Sequence, residues 1–143
     1  MHAAADIFWD HLAPTGVSWI GFYTMDDGGQ QMLLGPRRDK PACSPIGMHG
    51  ACGQSAARKE TLVITHVSKL GDGYVACDPK DTSELVIPCI ESESSEKQMI
   101  SWGVLDADSF DEGSFSEHDA RELASILHEI GLSELASPPI RVV

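Results

Sequence analysis

The feature that most constrains the fold of this chain is the tetrad Asp26-Asp27-Gly28-Gly29, set between two strand-forming runs. A turn of this composition between apolar segments closes an antiparallel hairpin. Val17 to Met25, rich in aromatic and β-branched residues, supplies one strand, and about Gln30 to Gly35 supplies the other. Leu62 to Val67, Glu84 to Glu91 and Ile100 to Asp108 also read as strands. Glu84 to Glu91 is apolar on both faces, which places it centrally. His2 to Ala13 reads as a short helix, with Ala3, Ile7, Phe8 and Leu12 at helical spacing, and Pro14-Thr15-Gly16 stops it. Gly50 to Glu60 reads as a second helix whose small residues Ala51, Ser55 and Ala56 permit close packing on a sheet. Ser116 caps a third, with Asp119 completing a capping box and Ala120, Leu123, Ala124, Leu127 and Ile130 forming its apolar stripe. Pro36 to Gly50 and Gly71 to Thr82 read as loops, Ser92 to Gln98 as a solvated turn, and Pro138-Pro139 as the start of a loose tail. The expected fold is one α+β domain over residues 1–143, with a central antiparallel sheet and helices packed on one side.

Composition narrows the partners. Net charge is −12, with 22 acidic against 10 basic residues, and only Arg37-Arg38 are adjacent cations. Such a surface repels nucleic acid and anionic lipid. The N-terminus lacks the basic start and apolar run of a signal peptide, and no apolar stretch approaches the roughly 20 residues that span a bilayer. A cytoplasmic location is therefore expected, where the four cysteines stay reduced and any pairing serves catalysis or sensing. None of them forms a C-x-x-C pair, so no zinc site is expected.

Chemistry concentrates in a few residues. With period-two alternation, Ile100, Trp102, Val104, Asp106 and Asp108 share one strand face. The two aspartates then lie about 7 Å apart, and Glu84 at the start of another strand could join them. Clustered carboxylates repel, so one keeps its proton. A retained proton could go to a sulfoxide oxygen, and the remaining charge could hold an ammonium; the same acids would also serve as a solvated strand end. Trp19, Gly21 and Tyr23 share a face and can form a slot for a thioether, or ordinary core. Cys43 and Cys77 sit in proline-flanked loops, where reactive thiols are reachable. Cys52 opens a helix, whose N-terminus favours thiolate. His49, three residues earlier, could tune Cys52 or be solvated. Cys89, inside an apolar strand, reads as core.

Taken together, Trp19-Ile-Gly-Phe-Tyr23, Leu34-Gly-Pro36, Lys40-Pro-Ala-Cys43, Gly50-Ala-Cys-Gly53, Val75-Ala-Cys-Asp78, Ser83-Glu-Leu-Val-Ile-Pro88 and Gly103-Val-Leu-Asp-Ala-Asp-Ser109 resemble the free methionine-(R)-sulfoxide reductases, a family built on the GAF fold. The resemblance implies that Cys43, Cys52 and Cys77 occupy redox positions, that Glu84, Asp106 and Asp108 are the substrate-binding and acid carboxylates, and that Trp19 and Tyr23 are pocket aromatics. It implies thioredoxin as reductant, often a homodimer, and no metal or organic cofactor. The chain departs from the family in a short N-terminal helix, in Arg37-Arg38-Asp39, in a longer Ser92–Gln98 segment and in Cys89. The expected course is attack by Cys77 on the sulfoxide sulfur, a Cys77 sulfenic acid, and a disulfide with Cys43, with Cys52 as the alternative partner. A non-catalytic GAF binding module and a thiol redox sensor are the rival readings.

Overall fold

The computed structural model describes residues 1–71, 74, 77–93 and 98–143. The Asp26–Gly29 turn forms as its composition predicts. Asp26 Oδ1 accepts the Gln30 and Gln31 N–H groups at 2.9 and 3.3 Å. Gly29 takes φ of 64°, a conformation that favours glycine. The turn joins β1 (Val17–Met25) to β2 (Gln31–Arg38), with Met25 opposite Met32 and Gly21 opposite Arg37.

Five further strands are described: β3 (Ile46–Gly47), β4 (Thr61–Ile64), β5 (Ser83–Glu93), β6 (Gln98–Ser109) and β7 (Ile140–Val142). Together they make one sheet in the order β3-β2-β1-β6-β5-β4-β7. All neighbours are antiparallel except β4 and β7. Two strands lay hidden in segments read as irregular. β3 falls in the Pro36–Gly50 loop. β7 forms from the expected loose tail, laying Ile140 beside Thr61 and Arg141 beside Leu62. Strands this short carry too little periodicity to read, and their partners are remote in sequence. The solvated turn expected over Ser92–Gln98 falls largely on residues 94–97, outside the described residues; β5 and β6 flank it.

Helices α1 (His2–Leu12) and α3 (Glu117–Glu129) cover one face, burying Phe8, Ile20, Phe22, Leu85, Ile87, Leu105 and Leu127. The one-sided arrangement expected for the helices holds for these two. Helix α2 (Ala51–Arg58) instead packs on the opposite face, against β5 and β6. The physical reason is the apolar surface on both faces of the central strands: Val86 and Val104 need cover as much as Leu85 and Leu105 do. Gly53 lets α2 fold back tightly on the segment that precedes it, since a Cβ there would lie 2.3 Å from the Met48 backbone. The Ser116–Asp119 capping box forms as expected, whereas Ile130 lies at the helix end and is exposed.

The β5–β6 ladder contains a bulge that the sequence did not announce. Cys89 faces Gly103, and Ile90 then faces Ser101, leaving Trp102 without an opposite residue. Trp102 packs on the α1/α3 side rather than with Val104 and Asp106. An extra residue in one strand breaks strict alternation, so the five-residue face expected from Ile100 to Asp108 is interrupted there.

Candidate active site

The face under α2 gathers the chemistry. Glu84 of β5 stands directly opposite Asp108 of β6, and Trp19 of β1 stands opposite Asp108 from the other side. Gly21 stands opposite Asp106. Three neighbouring strands thus bring residues from distant parts of the chain onto one surface. The Trp19 indole lies across Gly21, where an added Cβ would meet the ring Cη2 atom at 2.5 Å. Trp19 and Tyr23 have ring centroids 6.1 Å apart and inclined at 37°. Trp19 and Tyr23 thus share the face expected from the sequence, with the indole rather than an open slot above Gly21.

Hydrogen bonds from these aromatics position the cysteine loops. The Trp19 indole N–H donates to the Lys40 carbonyl at 2.9 Å, and the Tyr23 hydroxyl donates to the Cys43 carbonyl at 2.9 Å. The Lys40 ammonium pairs with the Asp78 carboxylate and lies 4.8 Å from the centroid of the Phe110 ring. Lys40 and Asp78 therefore latch the Cys43 loop to the Cys77 loop. From the opposite side α2 delivers Cys52, whose thiol donates to Asp106 Oδ2 at 3.3 Å.

These elements enclose a cavity of about 280 Å³. Cys43, Cys52, Cys77, Glu84, Asp106, Asp108, Trp19 and Tyr23, all nominated from the sequence, line it. Cys89 does not; it is buried in the core beneath α1 and α3. Tyr74 and Asp81 were missed, although both line the cavity. Tyr74 is hydrogen-bonded to Glu84. The one signal available for it was an aromatic residue in an otherwise polar loop. His49 also lines the rim and packs over Gly47.

The electrostatics of the cavity are one-sided. Glu84 is 4% and Asp106 is 6% exposed; Glu84 Oε2 and Asp106 Oδ1 meet no donor among the described residues, and a retained proton lets the two carboxyls bond to each other. Among the described residues, no Lys or Arg lines the cavity. Burial, then the charge of Asp106, pushes the Glu84 carboxyl well above its ordinary range. Burial, then Asp108, does the same to Asp106, and burial, then Glu84, to Asp108. Asp81 is raised by burial and by Asp78. These carboxyls compete to stay protonated. Two thiols feel the same field. Cys52 was expected to be a stabilised thiolate at a helix N-terminus. Instead, burial and the charges of Asp106 and Glu84 raise it well above the usual thiol range, outweighing the partial charge of a short helix. Cys77, exposed at the rim, is pushed up to about 12, by desolvation of its sulfur first and by the hydrogen-bonded Cys43 thiol next. Cys43 and Cys77 are thus neighbours, both exposed, and all four cysteines are free thiols.

Acids able to hold or lose a proton, two neighbouring aromatics and a pair of adjacent thiols occur together in a curled sheet closed by α2. This architecture is that of a GAF domain. A solved GAF-domain structure superposes with a TM-score of 0.74 at 32% identity, covering 85% of this chain and 68% of the other. The free methionine-R-sulfoxide reductase of Escherichia coli (strain K12) is 36% identical over 118 residues, covering 81% of this chain and 66% of the relative. The structure of free methionine-R-sulfoxide reductase from Neisseria meningitidis in complex with its substrate matches with a TM-score of 0.72 at 32% identity, covering 90% of this chain and 73% of that one. No protein-family model matches the chain. The chain belongs to the free methionine-(R)-sulfoxide reductase family. It spans slightly less than two thirds of the E. coli relative's length. Among the described residues, no helix is long and apolar enough to cross a membrane.

Proposed function

We propose that this protein reduces free L-methionine-(R)-sulfoxide to methionine. The observation that carries the reading is the cavity, lined by no Lys or Arg among the described residues, in which buried carboxyls lie beside an adjacent thiol pair. An amino acid's ammonium supplies the missing positive charge, and the Trp19–Tyr23 pair suits its thioether end. A peptide-bound or acetylated methionine sulfoxide lacks that ammonium and is disfavoured.

The reaction balances on this chain's own groups. The Cys77 sulfur attacks the sulfoxide sulfur. Its thiol is protonated at rest, so attack is coupled to loss of that proton, and the sulfoxide oxygen is the group that gains protons. Glu84, Asp106 or Asp108, each holding a proton above its ordinary range, supplies the acid. Methionine leaves, and Cys77 carries the oxygen as a sulfenic acid. Cys43 attacks Cys77, the oxygen departs as water, and a Cys43–Cys77 disulfide remains. A dithiol reductant of the thioredoxin class restores both thiols by exchange at the exposed rim. Cys52 is buried and engaged with Asp106, which favours Cys43 over Cys52 as the resolving thiol.

The test is thioredoxin-coupled NADPH consumption with each epimer of free methionine sulfoxide. Turnover of the R epimer alone, abolished by Cys77→Ser, is the expected result. No turnover of either epimer would leave a binding or sensing module as the better account. Full turnover by Cys77→Ser would overturn the assignment of the attacking thiol.

A further inference from the structure

Cys52, Glu84 and Asp106 come from α2, β5 and β6, and each offers one ligand atom within 4.8 Å of the other two. The Cys52 sulfur and Asp106 Oδ2 are already 3.3 Å apart. In a tetrahedral zinc site with bonds of about 2.3 Å to sulfur and about 2.1 Å to oxygen, adjacent ligand atoms are separated by about 3.5 Å. The wider spacings, up to 4.8 Å, close to that value on binding. The groups are also short of partners. Glu84 and Asp106 line the cavity, are more than nine-tenths buried, and each has one carboxyl oxygen, Oε2 and Oδ1, that meets no donor among the described residues. A dication between the two carboxyls would supply the positive charge that this wall lacks, since no Lys or Arg lines it among the described residues.

We propose that the reduced protein binds one soft divalent cation, of the zinc or cadmium class, through Cys52, Glu84 and Asp106, and that the ion excludes an amino acid from the cavity. On binding, the Cys52 S–H bond breaks and Glu84 and Asp106 give up any proton they hold; these protons go to solvent, and one sulfur–metal and two oxygen–metal bonds form. Nothing is oxidised or reduced. The thiolate selects against magnesium and calcium, which take all-oxygen shells. The fourth position faces the cavity and is left to water. Sequence spacing could not suggest this site, because its ligands come from elements that only the sheet brings together. The ion and a substrate ammonium would compete for the same two carboxylates. The exclusion clause rests on the proposed function; the binding clause does not.

Cobalt(II) titrated into the reduced full chain tests the binding, read by thiolate-to-cobalt charge-transfer absorption, with zinc then displacing the cobalt. One ion per chain is expected. The band should vanish in Cys52→Ser and persist in Cys43→Ser and Cys77→Ser. Asp106→Asn keeps the thiol and the side-chain volume. It should weaken zinc by no less than the roughly 100-fold that loss of an outer-shell partner can cost. No band in the unaltered protein, a band retained in Cys52→Ser, or a band lost in Cys43→Ser would overturn the site. Undiminished zinc affinity in Asp106→Asn would do so even if Cys52→Ser failed to fold. Free methionine is titrated into the metal-free and the cobalt-loaded protein in parallel. Binding to both with equal affinity overturns the exclusion. Failure to bind metal-free protein counts against the proposed function, while the cobalt result stands by itself.

Discussion

Gly21→Ala perturbs the Trp19–Tyr23 pair without replacing a thiol or an acid. Gly21 has no role in the chemistry, yet its missing side chain makes room for the Trp19 indole. An alanine Cβ would sit 2.5 and 2.8 Å from two ring carbons of Trp19 and 2.8 Å from the Arg37 Cβ. Ordinary carbon contacts lie at about 3.5–4.0 Å, so the ring must retreat by about 1 Å. It cannot do so freely. Its N–H is bonded to the Lys40 carbonyl, and Arg37 is the cross-strand neighbour in the β1–β2 ladder. Overpacking of this kind costs about 1–3 kcal/mol. Loss of the indole hydrogen bond adds about 1 kcal/mol. The variant should therefore be about 2–4 kcal/mol less stable in urea unfolding. Because the retreating ring disturbs both the aromatic pair and the loop carrying Cys43, kcat/KM for free methionine-(R)-sulfoxide should fall about tenfold or more, the equivalent of about 1.4 kcal/mol. Gly28→Ala is the control, since a Cβ there meets nothing closer than 3.8 Å. A Gly21→Ala protein with unaltered stability and turnover would refute the view that the indole needs the glycine beneath it.

Further tests address the thiols and the acids. Cys43→Ser should release one equivalent of methionine in a single burst and then stall, with the Cys77 sulfenic acid trapped by a sulfenic-acid reagent; sustained turnover would assign resolution to another thiol. Lys40→Met removes the ion pair to Asp78 and should slow disulfide formation while leaving the first-turnover burst intact, as measured by rapid quench and thiol titration. The acids predict a pH dependence with a definite sign. Glu84 and Asp106 have folded-state values raised above their ordinary 4.5 and 3.8, so the folded state binds more protons. Their protonated contribution is complete below those values and is lost as pH rises through the raised ones. Urea midpoints of the ligand-free protein should fall from about pH 5 to pH 8. Asp106→Asn should flatten that slope and stabilise the protein at pH 8 while impairing turnover.

Where sequence reasoning succeeded, the determining interactions were local. The Asp26–Gly29 turn depends on an Asp side chain and a glycine within one tetrad. The capping box at Ser116 closes over three residues. Alternation in β1 put Trp19, Gly21 and Tyr23 on one face because no bulge intervenes between them on the β6 side. Where it fell short, the deciding partner was distant. Trp102 turned to the other face through a bulge set by its ladder with β5. The tail became β7 only because β4 offered a free edge. Tyr74 and Asp81 joined the site through the fold of a loop, not through any spacing.

The cysteines show the same division. Residue types and their order in the chain were enough to nominate Cys43, Cys52 and Cys77 together with Glu84, Asp106 and Asp108, and to place the family. Their different surroundings were decided by tertiary structure. Cys52, at a helix start, reads locally as a favoured thiolate. α2 carries it under the sheet face, where the carboxylates of β5 and β6 and the loss of water hold its proton in place. Cys43 and Cys77 meet at the rim because Trp19, Tyr23 and the Lys40–Asp78 pair hold their loops there. A thiol's reactivity depends on the charges and solvent within a few ångströms of it, and for these three that surrounding is assembled from strands far apart in the chain.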